Sequence, residues 1–148
     1  MRFVLVDRIL CLEPGVRVEA ARHIPPDEDY FQDHFPGFPV VPGVLLTEMM
    51  GQAAAKALDG ERRARGKAML AKILSASFRQ WVRPDDEVML HATITANTDR
   101  YANADCRADV GGKTVAQAQL FFTFVPPGTL SADFSDPLLD AFLAGQTP

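Results

Sequence analysis

An α+β fold is predicted for this 148-residue chain. Three observations carry it: a β-hairpin pattern near the start, one apolar helix in the middle, and four long segments of β-like composition after it. Val4 to Leu12 and Val16 to Ile24 are rich in Val, Ile and Leu, and the intervening Glu13-Pro14-Gly15 is a turn signal, so the two runs read as a hairpin. Alternation in the second run puts Val16, Val18, Ala20 and Ile24 on one side and Arg17, Glu19 and His23 on the other, which makes His23 solvent-facing.

Pro25 to Pro42 mixes prolines and Gly37 with acids and aromatics and reads as an ordered loop with short turns. Val44 to Leu58 is apolar around nearly its whole circumference, the pattern of a helix enclosed by protein. Met69 to Val82, Val88 to Ala96, Tyr101 to Val110 and Thr114 to Val125 follow as strands. Their turn signals are Pro84-Asp85-Asp86, Asn97-Thr98-Asp99 and Gly111-Gly112. His91 shares the polar face of its strand with Thr93 and Thr95 and reads as an ordinary outward residue. After Pro126-Pro127-Gly128 the composition shifts to Thr, Ser and Asp. Asp136-Pro137 then opens a short helix through Ala144, stopped by Gly145, in a tail that reads as peripheral. The expectation is a single domain over residues 1–148, with a core at about 3–125 and a tail at 126–148.

Composition narrows the function. With 47% apolar residues the chain can bury a core without help from metal or disulfide. Asp7 and Arg8 interrupt the first apolar run, and Glu48, Gln52 and Lys56 interrupt the longest one, so neither an export signal nor a membrane span is expected and a cytoplasmic protein is. Cys11 and Cys106 have no CxxC spacing and no neighbouring His, so they read as buried thiols with no metal site. A net charge of −4 argues against nucleic-acid binding. It masks a basic stretch containing Arg62, Arg63, Arg65, Lys67, Lys72, Arg79 and Arg83.

The chemistry concentrates between His34 and Glu48. His34 sits in a loop stiffened by Pro36, Pro39 and Pro42, immediately before the apolar helix. Glu48 lies five residues past Gly43, roughly 7–8 Å along the helix, on an apolar surface shared with Gln52 one turn later. Apolar surroundings disfavour a charged carboxylate and keep it a proton donor. Gly43 opens the helix, where backbone N–H groups lack intrahelical acceptors, and its missing side chain would admit a carbonyl. A base, a neutral acid and an N–H donor are the parts for abstracting a proton beside a carbonyl with loss of a β-hydroxyl. The residues alone leave a second reading open, in which His34 closes the loop and Glu48 is a solvated or salt-bridged helix residue.

The run His34-Phe35-Pro36-Gly37-Phe38-Pro39, continuing through Pro42-Gly43-Val44-Leu45 to Glu48 and Gln52, resembles the signature of the 3-hydroxyacyl-[acyl-carrier-protein] dehydratases of the FabZ type. Leu5-Val6-Asp7-Arg8-Ile9-Leu10 and Phe78-Arg79-Gln80-Trp81-Val82-Arg83-Pro84 extend the likeness over roughly residues 3 to 125. The resemblance implies a hot-dog fold, an antiparallel sheet wrapped around a long central helix. It also implies a homodimer, alone or in a trimer of dimers, with sites built from His34 of one subunit and Glu48 of the other.

By the same resemblance His34 takes the C2 proton, Glu48 helps the C3 hydroxyl leave, and the Gly43 N–H polarises the thioester carbonyl. The (3R)-3-hydroxyacyl group, carried by phosphopantetheine on acyl carrier protein, becomes a trans-2-enoyl group, and no cofactor is required. Glu48 separates the chain from the isomerising FabA type, which places Asp there. Phe35, Phe38, Pro39, Val44, Met49, Gln52 and Trp81 are expected to contact substrate. Arg62, Arg63, Arg65, Arg79 and Arg83 are expected to meet the acidic carrier, unless they form a solvated loop and strand edge.

Asp33, Phe38, Thr47, Met49-Met50-Gly51 and Asp85, which stands where Gly is typical, depart from the family pattern and point to a dedicated acyl or polyene pathway. Asp33 would favour a charged imidazole at His34 if its carboxylate turned inward. Two other readings are a hot-dog thioesterase or enoyl-CoA hydratase, and a non-catalytic acyl-binding subunit that needs a related partner.

Overall fold

The computed structural model describes residues 1–62 and 66–145, leaving aside the side chain of Arg62. Strands β1 (Arg8–Glu13) and β2 (Arg17–His23) precede helix α1 (Gly43–Arg62). Then come β3 (Lys67–Phe78), β4 (Glu87–Asn97), β5 (Tyr101–Val110), β6 (Lys113–Val125) and helix α2 (Pro137–Leu143). The six strands form one sheet in the order β1-β2-β4-β5-β6-β3, and every adjacent pair is antiparallel. The sheet curls around α1, which touches each of its strands. This is the hot-dog arrangement.

Small residues let helix and sheet approach closely. Ala53, Ala54 and Ala57 of α1 are fully buried, as are Ala102, Ala104 and Ala108 on the inward face of β5 and Ala116 and Ala118 on β6. Leu46, Met49, Met50 and Leu58 fill the remaining space against Val18, Leu90, Leu120 and Phe122. Removing one such side chain would leave a cavity costing about 2–5 kcal/mol. The enclosure of α1 is incomplete, however. Leu45, Glu48, Gln52, Lys56 and Gly60 form a half-buried stripe at helical spacing, where the sheet does not reach.

The strands differ from expectation at their ends, each time for a physical reason. β1 starts at Arg8 because Leu5 and Val6 pack inward before it, and the Leu5 N–H donates to Gln52 Oε1 at 2.8 Å instead of joining a ladder. β3 stops at Phe78. Beyond it Val82 is fully buried, and its carbonyl accepts from the Val41 N–H at 2.8 Å, tying the end of the His34 loop to this segment. Asp85 has φ 69°, the left-handed backbone that glycine adopts freely. Gly66 enters β3 where a Cβ would overlap the Val125 carbonyl oxygen, so no larger residue fits.

The tail is not peripheral. Asp136 caps α2 by accepting from the Leu139 N–H at 3.2 Å, and its other oxygen pairs with Lys56 of α1 at 2.6 Å. Leu139 is 1% exposed and belongs to the main core. Cys106 is buried and Cys11 half-buried, both as free thiols, and burial pushes the Cys106 thiol up to about 12. His23 is exposed, and His91 lies on the outer face between Glu19 and Asp109 at 3.9 and 3.3 Å, as its strand periodicity predicts. No group of side chains arranged for a metal ion occurs among the described residues, and no described helix is long and apolar enough to cross a membrane.

Candidate active site

The loop that carries His34 is a small closed hairpin. Phe35 and Phe38 exchange backbone hydrogen bonds at 2.9 Å in both directions, with Gly37 at φ 75° between them. One position outward, the Val40 N–H donates to the His34 carbonyl at 3.0 Å, and His34 Nδ1 donates to the Val40 carbonyl at 2.9 Å. With Nδ1 carrying its hydrogen, the lone pair resides on Nε2. The ring stacks on Phe35 with centroids 4.1 Å apart. Asp33 points to solvent, so the inward carboxylate considered for it is absent.

The helix starts two residues after that loop. Leu45 and Leu46 donate to the Pro42 carbonyl at 2.9 and 3.3 Å, which makes Gly43 and Val44 the first helical residues, with amides that the helix itself cannot satisfy. The space where a Gly43 side chain would go is taken by the Phe78 ring, 3.1 Å from an ideal Cβ. A side chain here would press on Phe78, a residue that sequence reasoning did not single out. The side of Gly43 expected to admit a carbonyl is this occupied one.

Glu48 is half-buried, not enclosed as its apolar neighbours suggest. Its Oε1 accepts from Gln52 Nε2 at 3.0 Å, while Gln52 Oε1 accepts the Leu5 N–H. Gln52 thus orients the carboxyl and clamps the N-terminal segment over the open stripe of α1. Both side chains line a cavity of about 950 Å³ with Phe3, Val4 and Val6, Gly51 and Ala55, the start of β3, and Phe134 to Leu138 with Ala141 of the tail. His34 is not among its lining residues, so the two proposed partners do not meet in this cavity.

Other expected site residues divide into groups. Met49 packs into the core and lines no part of the cavity, because its position on α1 faces the sheet. Phe35, Phe38, Pro39, Val44 and Trp81 are exposed around the His34 loop. Phe38 meets Trp81 edge to face at 5.1 Å, and the Arg83 guanidinium lies 5.4 Å from the Phe38 ring centre. Arg79, Gln80, Trp81 and Arg83 line a second hollow of about 360 Å³. Arg79 also donates to Gln117 at 2.7 Å. Arg63 and Arg65, with the side chain of Arg62, lie outside the described residues.

A sheet wrapped on a single long helix, with an imidazole and a carboxyl disposed about that helix's N-terminal half, defines a hot-dog protein with a candidate acid–base pair. The family follows from comparison with known proteins. Residues 1–119 match the FabA-like domain, and the chain belongs to that family. It is 38% identical over 125 residues to the 3-hydroxyacyl-[acyl-carrier-protein] dehydratase FabZ of Lactobacillus helveticus, covering 84% of this chain and 83% of that protein. The FabZ dehydratase of Chloroflexus aggregans is likewise 38% identical over 126 residues, covering 84% and 88%. Among solved structures, the dehydratase heterocomplex ApeI:P from Xenorhabdus doucetiae superposes with a TM-score of 0.70 at 14% identity, over 84% of this chain and 85% of that one. That last likeness is one of fold.

Proposed function

We propose that this chain dehydrates 3-hydroxyacyl groups carried on acyl carrier protein, giving the 2-enoyl thioester. The observation that carries the proposal is the doubly tied His34–Val40 pair, which leaves Nε2 as a fixed base in a chain whose relatives are named FabZ dehydratases. His34 Nε2 takes the C2 proton as the thioester oxygen accepts from the Gly43 N–H. The C3–O bond then breaks, and the departing hydroxyl takes a proton from Glu48 to leave as water. Exchange with solvent returns the imidazolium and carboxylate to their starting forms.

The site forms between two copies of the chain. His34 is absent from the cavity that Glu48 lines, and β3 is hydrogen-bonded to β6 on one side only, with Met69, Ile73, Leu74 and Phe78 exposed along it. A strand edge of twelve residues is a template for pairing with its own twofold copy. The carrier docks on the surface of Arg79 and Arg83 beside Trp81 and Phe38, where positive charge suits an acidic partner.

The test follows 2-enoyl product by mass from a short 3-hydroxyacyl-acyl carrier protein. Wild type turns it over, and His34→Ala and Glu48→Gln each lose about a hundredfold or more. Subunits of the two variants, unfolded and refolded together, recover up to about a quarter of wild-type activity, because half the dimers are mixed and each has one intact site. Absence of product from wild type overturns the activity, and absence of recovery overturns the shared site.

A further inference from the structure

The cavity at Glu48 is walled at its other end by residues that the family match does not include. The FabA-like match ends at residue 119, whereas Phe134, Leu138 and Ala141 belong to the tail. Three contacts hold the tail there. Asp136 pairs with Lys56, with only 13% and 15% of the two side chains exposed, the same carboxyl caps α2, and Leu139 is sunk in the core.

Lys56 stands two turns beyond Glu48 on the same stripe of α1, about 12 Å along the axis. Between them the floor is Gly51 and Ala55, small residues that leave room for a slender chain. The Asp136 carboxylate pairs with Lys56 and Asp59 pairs with Lys67, so these two wall charges are matched, and Phe134, Leu138 and Ala141 stand beside the first pair. A cavity with a carboxyl at one end, small residues along its floor, and Phe134, Leu138 and Ala141 beside a matched ion pair at the other fits a saturated acyl chain extending away from the reacting carbons.

We infer that the segment from Phe134 to Ala141 is the end wall of this acyl channel and sets the longest chain the protein accepts. The inference rests on the dehydratase reading for the identity of the acyl group. Its mechanism is steric. Each methylene buried along the floor strengthens binding about fourfold, and the gain ends where the chain meets the tail.

The experiment titrates the full-length protein with a ladder of saturated acyl-pantetheine amides, in which an amide replaces the thioester so that nothing reacts. Affinity should climb about fourfold per methylene and then level or fall at a definite length. Phe134→Ala and Leu138→Ala should move that break to longer chains, and Ala141→Trp to shorter ones. If Ala141→Trp does not fold, Phe134→Ala, a change at an exposed side chain, decides the matter alone.

An unchanged break in the folded variants overturns the inference, as does failure of wild type to bind any amide. Sedimentation run in parallel identifies the other occupant. If the variants shift only the monomer–dimer balance and leave the break in place, the tail is a contact between copies and the inference fails. Turnover of a short 3-hydroxyacyl carrier substrate is measured separately. Its absence overturns the dehydratase reading, while a break that moves with the tail still upholds the wall.

Discussion

His34 and Val40 hold each other twice: the Val40 N–H bonds to the His34 carbonyl, and the His34 ring bonds back to the Val40 carbonyl. Backbone and side chain of the imidazole are thus referred to a single residue six positions on. The imidazole has its tautomer and its direction set by that residue's peptide groups.

The turn between them depends on Gly37 at φ 75°, with nothing within 4 Å of the point where a Cβ would stand. Gly37→Ala should therefore cost about 1–2 kcal/mol in unfolding free energy through backbone conformation alone, and Gly37→Asn less. Urea denaturation measures this. The Ala variant should also lose activity at low temperature, where it is fully folded, because the loop that aims His34 is reshaped. Retention of full activity would separate the turn from the site.

Gln52 binds Glu48, the Leu5 N–H and the Phe3 carbonyl, so Gln52→Leu removes three hydrogen bonds with little change in volume. Stability should fall by about 1–3 kcal/mol, the cost of leaving a polar group unpaired. The kcat should fall about tenfold with KM little changed, the pattern of a positioning residue. A KM effect with kcat intact would instead make Gln52 a direct substrate contact.

At Asp85, φ 69° places a residue with a side chain in the left-handed region. Asp85→Gly should stabilise the protein by about 0.5–1 kcal/mol and Asp85→Ala should destabilise it by a similar amount. Thermal unfolding of the pair checks this. An equal response to both substitutions would show that the carboxylate, and not the backbone, matters there.

Burial pushes both Cys106, from an ordinary 9.0, and Tyr30, from 10.0, up to about 12. Unfolded chains release these protons from about pH 9 upward, while the folded protein keeps them. Stability is therefore fully present below pH 9 and is lost as pH rises toward 12. Cys106→Ala should flatten the first part of that decline. In native protein at pH 8, a thiol reagent should modify Cys11 and spare Cys106 until the chain unfolds.

Periodicity located the hairpin, the helix and the strands because each buries one face in a repeating pattern. It carried the third strand through Val82, since a buried valine in an irregular segment looks the same in sequence as one in a strand. The spacing from His34 to Gly43 to Glu48 marked the residues proposed for the site. Contacts between distant segments were illegible: Gln52 with Leu5, Phe78 over Gly43, and Lys56 with Asp136 eighty positions away. Nothing local in the sequence selects those partners. The tail helix was visible from its cap and proline, whereas its docking depended on Leu139 finding the core.

β3 has consequences for the chain before it has any partner. Its twelve residues contain no proline, and their only charges are Lys67 and Lys72, so little along that edge discourages a foreign strand. A newly made copy at low concentration is exposed to the kind of growth that ends in fibres. The proposed twofold pairing would end such growth after a single step, because it would consume both edges at once. Under that proposal dilution should carry a hazard of its own: the melting temperature should fall with protein concentration, and substitutions that weaken self-association should shorten the shelf life of the soluble protein before they touch its chemistry.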